Sequence, residues 1–138
     1  MTRILESLDE IALNYDAVFC DLWGCLHNGV RPFEEAVAAL TRFRDGGGTV
    51  LLLTNSPRPS PHVVTQLDDI GVPRNLYQAV TSSGDAAVDA LASGAFCSKV
   101  YHLGPGRDEP FFTAVSEDDF YDGTGVERVA LKDAESIV

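Results

Sequence analysis

The stretch VFCDLWGCLHNG, residues 18–29, decides how the chain is read. It begins as an apolar run of strand length and stops at Asp21, with Gly24 three residues later. Open α/β sheets place their chemistry at such strand ends, just outside the carboxyl edge of the sheet. A carboxylate there is therefore a candidate reactive group. Trp23 is the unusual member, a bulky indole where a small or charged residue would fit a turn more easily.

Working outward, apolar runs of strand length alternate with helical patterns, which predicts βαβ units and a parallel sheet. Residues 16–21 form the first predicted strand. Pro32 stands at a predicted helix start, and Phe33, Ala36, Val37, Leu40 and Phe43 recur at helical spacing until Gly46, Gly47 and Gly48. The run Thr49 to Thr54 is apolar up to its last residue, as expected of a strand covered on both faces. It ends in a second polar group, Thr54-Asn55-Ser56. Ser60 and Pro61 suit a helix start, Val63, Val64, Leu67 and Ile70 supply its buried stripe, and Gly71 closes it. A short strand over Ala79 to Ser82, a helix from about Asp85 to Ser93 and a strand over Lys99 to Leu103 continue the alternation.

Composition limits the setting. The chain has 138 residues, 45% of them hydrophobic, enough for a real core. Its formal net charge of -11 disfavours nucleic acid and anionic lipid as partners, because both require a basic face. The segment MTRILESLDE is acidic where a signal peptide would be apolar, and no run reaches membrane-spanning length, so a soluble cytoplasmic protein is expected. Three cysteines, Cys20, Cys25 and Cys97, form no C-x-x-C pair and suit a reducing compartment. Residues 84–138 carry eleven acids against four bases, compared with ten against six before them. That shift predicts a domain boundary near Gly84. An ending on Ile137-Val138, with nothing after it to cover a strand, reads as a cut in a longer protein.

Asp21-Leu22-Trp23-Gly24-Cys25-Leu26 resembles the D-x-D-G-T/V-L motif of the haloacid dehalogenase (HAD) superfamily. The order of features that follows, with Thr54-Asn55-Ser56 at one strand end and Thr81-Ser82-Ser83-Gly84 leading into a helix, is similar to its class IIA branch of nitrophenylphosphatase-like and phosphoglycolate-phosphatase-like enzymes. The resemblance implies a Rossmann-like core, incomplete here, over residues 1–83. It also implies the start of an inserted α/β cap domain over 84–138.

The same resemblance implies a Mg²⁺-dependent phosphatase acting on a small phosphorylated metabolite. Asp21 would be the nucleophile that forms an aspartyl-phosphate, and free N–H groups of the following turn would hold phosphoryl oxygens. Asp21 and the main-chain carbonyl of Trp23 would bind Mg²⁺, a hard ion that prefers oxygen. Thr54 and Asn55 would bind the transferred phosphoryl group. His27, beside the motif, is a candidate substrate contact. The family's lysine and its downstream acidic pair have no counterpart, since Lys99 and Lys132 read as solvated charges, so this stretch alone is not expected to turn over substrate.

Trp23 departs from the family where its phosphatases carry the general acid and base. An indole cannot serve that role near neutral pH, a loss worth roughly two to four orders of magnitude in rate. Three readings stay open: a slow or specialised phosphatase, a dehalogenase-type hydrolase acting at carbon, and a catalytically silent module that binds phosphometabolites. Substrate identity and oligomeric state are not legible in these residues. Gly104-Pro105-Gly106 reads as a loop rather than a dinucleotide fingerprint, and the acidic run Glu117 to Gly123 as a solvated turn rather than a calcium loop.

Overall fold

A computed structural model of the chain describes residues 4–95, 97–106, 111–112 and 126–138. The acidic run Glu117 to Gly123 lies outside them. The chain divides into two compact units, one of residues 1–54 and 61–81, the other of 55–60 and 82–138.

In the first unit, β1 (Ala17–Asp21) pairs in parallel with β2 (Thr49–Thr54), and β3 (Ala79–Ser82) flanks β2 on its other side. Two helices connect the strands, α1 (Glu34–Asp45) and α2 (Ser60–Asp69). Acids in the first turn of α1 and Arg42 and Arg44 in its last both complement the helix dipole. The helix begins two residues beyond Pro32. Phe33 stays extended because its N–H donates to the Leu26 carbonyl at 2.8 Å, tying the helix entry to the turn after β1. Gly71, at φ +86°, ends the segment after α2, where Val72 N–H returns to the Leu67 carbonyl.

The core of this unit joins Leu40 and Phe43 of α1, Val63 and Leu67 of α2, and Val50 and Leu52 of β2 to Leu22 and Leu26 of the turn after β1. Strand residues alternate between faces, so Val50, Leu52 and Thr54 share the buried side. The opposite side is open: Phe19 is 64% exposed and Leu53 48%. The expectation that β2 is covered on both faces is thus corrected. Both α1 and α2 contribute to the Val50 and Leu52 side, and among the described residues no equivalent layer encloses Phe19 and Leu53.

In the second unit, β4 (Lys99–Tyr101) is the middle strand of a parallel sheet, between β5 (Glu127–Arg128) and β6 (Ser136–Ile137). β4 stops at Tyr101 rather than Leu103, since its neighbours are only two residues long. Helix α3 (Ser83–Ala92) packs Val88 and Leu91 with Val100, Phe111 and Phe112. Lys99 and Lys132 are exposed, as expected of solvated charges. The result is an α/β protein with parallel sheets.

Candidate active site

Strand register sets the site. Asp21 pairs with Leu53, so Asp21 and Thr54 close adjacent parallel strands at the same end, one residue apart in register. The pleat turns their side chains differently: Asp21 is exposed on the side of Leu53, whereas Thr54 follows Leu52 inward and is only 4% exposed. A groove of about 340 Å³ lined by Asp9, Tyr15, Asp16, Arg42 and Phe43 lies at the other end of β1, before its first residue, and includes neither.

The turn after β1 is densely bonded. The Leu22 carbonyl accepts from the N–H groups of Cys25, Leu26 and His27, and Gly24 N–H, at φ +77°, donates to the His27 carbonyl at 2.9 Å. Leu22 N–H donates to Asp21 Oδ1 at 2.8 Å. The turn therefore holds fewer open donors than its sequence suggests. Of the N–H groups from Leu22 to Cys25, only that of Trp23 makes no hydrogen bond among the described residues. The second carboxylate oxygen of Asp21, Oδ2, also has no hydrogen-bond partner among them.

Trp23 lies across this turn with 56% of its surface exposed. A Cβ built on Gly29 would stand 2.2 Å from the indole Cη2, so the ring occupies the space that only glycine leaves. Gly29 also has φ +84°, a conformation that L side chains resist. The indole meets the His27 ring edge to face, with centroids 5.3 Å apart.

His27 supports that arrangement from below. It is 1% exposed, and its Nδ1 accepts from Gly29 N–H at 2.9 Å, which assigns the proton of the neutral ring to Nε2. Burial pushes its pKa below the ordinary imidazole value, and the nearby Asp21 carboxylate opposes that shift without cancelling it. In this geometry His27 holds the turn and the indole rather than presenting itself to solvent. Burial, then Cys25 and Asp21, push the Cys20 thiol up to about 11.

Asn55 begins the loop of the second unit, and this loop is fastened to the start of α3. The Asp85 carboxylate accepts from Ser60 N–H at 2.7 Å through Oδ1 and from Ser82 N–H at 2.9 Å through Oδ2. Gly84 N–H donates to the Ser56 carbonyl at 3.0 Å. A Cβ on Gly84 would meet the Pro57 carbonyl oxygen at 2.4 Å, so loop and helix are in backbone contact. The Ser82-x-x-Asp85 spacing carried the local half of this arrangement, as a capping box, but the link to Ser60 spans 25 residues and has no sequence signature.

The oxygens suited to a hard cation are those of Asp21 and the Trp23 carbonyl, which accepts no hydrogen bond among the described residues. They fit Mg²⁺ in kind. Among the described residues no three His, Cys, Asp or Glu side chains converge on one metal position, so Asp21 and Trp23 do not by themselves make a complete metal site. No helix among those residues is long and apolar enough to cross a membrane.

Comparison with known proteins places this geometry. None of the curated proteins matches the chain. Among solved structures, a haloacid dehalogenase-like family hydrolase from Brucella suis 1330 is 42% identical, with a TM-score of 0.81 over 97% of this chain and 45% of its own. A glycerol phosphate phosphatase from Mycobacterium tuberculosis, solved in complex with magnesium, is 24% identical and shares the fold, with a TM-score of 0.60 over 92% of this chain and 36% of its own. The chain thus spans less than half the length of either structure. A model of the haloacid dehalogenase-like hydrolases matches residues 18–116, from the strand that carries Asp21 into the second unit. The chain belongs to the haloacid dehalogenase-like hydrolases.

Proposed function

We propose that the chain supplies the nucleophile half of a Mg²⁺-dependent phosphatase that acts on a small phosphorylated metabolite. The observation that carries this reading is Asp21 itself, an exposed carboxylate at the carboxyl end of β1 with Oδ2 unpartnered among the described residues. Oδ2 attacks phosphorus, the ester P–O bond breaks with its electron pair on the leaving oxygen, which departs and is protonated to the alcohol, and the phosphoryl group passes to Asp21 as an acyl phosphate. Water then attacks phosphorus, releasing inorganic phosphate and restoring the carboxylate. The open N–H of Trp23 and the Thr54-Asn55 pair are the donors assigned to the phosphoryl oxygens. Mg²⁺, held in part by Asp21 and the Trp23 carbonyl, would supply positive charge to the transferring group.

On this reading residues 1–83 are the first part of a class IIA core and 84–138 begin its inserted cap. The glycerol phosphate phosphatase that shares the fold supports the substrate class in kind. The test uses the full-length protein with nitrophenyl phosphate and Mg²⁺, with hydroxylamine to trap the acyl phosphate. Turnover and trapping should both vanish in Asp21→Asn. Turnover that persists in that variant removes Asp21 as the nucleophile, and phosphate binding without any turnover or trapping in the wild type identifies a silent binding module instead.

A further inference from the structure

Trp23 meets Gly29 and His27, and more than half of it is exposed. Gly29 gives the indole a seat without a side chain, and the His27 ring meets it at 5.3 Å. Its Nε1–H makes no hydrogen bond among the described residues, and 56% of the residue faces solvent. Stability alone would favour burying so large an apolar ring and satisfying its N–H. An aromatic ring seated on Gly29, more than half exposed and two residues from the reactive carboxylate, is instead suited to stacking on a flat group.

The chemistry of the same position points the same way. Residue 23 carries no general acid, and His27 is 1% exposed with its Nδ1 committed to Gly29 N–H, so neither side chain is placed to protonate a departing alkoxide. A phenolate needs that proton far less, since a phenol ionises near pH 10, as tyrosine does, some five to six orders of magnitude more readily than water at 15.7.

Resting on the phosphatase reading above, we infer that Trp23 is a specificity-determining residue that stacks on the ring of an aryl phosphate, whose phenolic oxygen leaves without protein-assisted protonation. In the reaction Asp21 Oδ2 bonds to phosphorus as the aryl P–O bond breaks, and the electron pair of that bond departs on the phenolate oxygen. Solvent then protonates the free phenolate.

Phenylphosphonate and methylphosphonate test the stacking apart from turnover, because their P–C bonds are not hydrolysed by ester chemistry. Calorimetric titration of the full-length protein with Mg²⁺ should give phenylphosphonate an affinity about tenfold or more above that of methylphosphonate. Trp23→Leu keeps an apolar side chain but no π-face, and should reduce that ratio to below about threefold; Trp23→Phe should retain most of it. Inorganic phosphate titrated into the wild type tests the phosphoryl site itself, and circular dichroism with urea denaturation shows that each variant is folded. Equal binding of the two phosphonates by the wild type, or a ratio that survives Trp23→Leu, overturns the stacking role while leaving the phosphatase reading intact. Failure of the wild type to bind phosphate or either phosphonate overturns the phosphatase reading, and the stacking role with it.

Discussion

A methyl group at Gly29 would stand 2.2 Å from Cη2 of the Trp23 indole, so the two residues share one space. Gly29→Ala should therefore destabilise the protein by about 1–3 kcal/mol, combining the unfavourable positive φ with displacement of the ring. In a Trp23→Ala background the steric part disappears and the cost should fall to about 1–2 kcal/mol. Urea denaturation of the four proteins in this cycle measures the difference. An undiminished cost in the double variant would show that the indole does not rest on Gly29 in solution.

His27 gives a signed pH dependence. Its folded-state pKa is lowered by burial, so below the ordinary imidazole value near 6.5 the unfolded chain binds more protons than the folded one. The stability contributed by the neutral ring is present above that value and is lost as pH falls towards the folded pKa. The melting temperature of wild type, followed from pH 7.5 to 5, should decline more steeply than that of His27→Gln. Parallel curves would assign the decline to other groups.

The cysteines should separate in reactivity. With its thiol raised to about 11, Cys20 is thiolate to about one part in a thousand at pH 8, whereas Cys25 is exposed. Iodoacetamide at that pH, followed by peptide mass spectrometry, should modify Cys25 well before Cys20. Equal rates would mean that β1 opens readily.

Asp85 joins two backbone donors from separate segments. Asp85→Ala leaves the part-buried N–H groups of Ser60 and Ser82 without this acceptor and should lower stability by about 1–3 kcal/mol. Asp85→Asn retains one acceptor oxygen and should fall between. Because the loop so fastened begins at Asn55, KM for nitrophenyl phosphate should rise in the same order. A stability loss with unchanged KM would confine Asp85 to capping α3.

Trp23→Asp places a carboxyl group at the position where relatives with phosphatase activity have their acid. Hydrolysis of alkyl phosphates by the full-length protein should rise, with an upper bound of roughly 10²–10⁴-fold, while nitrophenyl phosphate gains little. Rapid alkyl ester hydrolysis by the wild type, with no gain in the variant, would locate the acid elsewhere.

What the sequence disclosed follows a physical division. β2 and α1 were legible because apolar periodicity and the triple glycine after Asp45 are local signals. Adjacency of the strand ends that carry Asp21 and Thr54 followed from consecutive parallel strands joined by a βαβ crossover, whereas the opposite faces taken by the two side chains did not. The open side of β2 was not legible, since an unbroken apolar run does not say which of its faces is covered. Nor was the seat of Trp23, which depends on a side-chain packing against a glycine six residues away. The number of open N–H donors after Asp21 depends on how the turn bonds to itself, and residue types do not reveal that. Asp85 was visible as a helix start, yet its bond to Ser60 is a tertiary fact.

The side of the first sheet that the described residues of its own unit leave exposed also bears on how molecules of this chain behave towards one another. Phe19 and Leu53 make it adhesive, while a formal charge of -11 makes every pair of molecules repel. The two forces respond differently to salt, because added ions shorten the reach of the repulsion from about 30 Å at 0.01 M to about 3 Å at 1 M and leave the apolar attraction in place. Ionic strength should thus govern the colloidal stability of the chain: dilute buffer keeps the repulsion long-ranged, and concentrated salt leaves the attraction between exposed Phe19 and Leu53 unopposed.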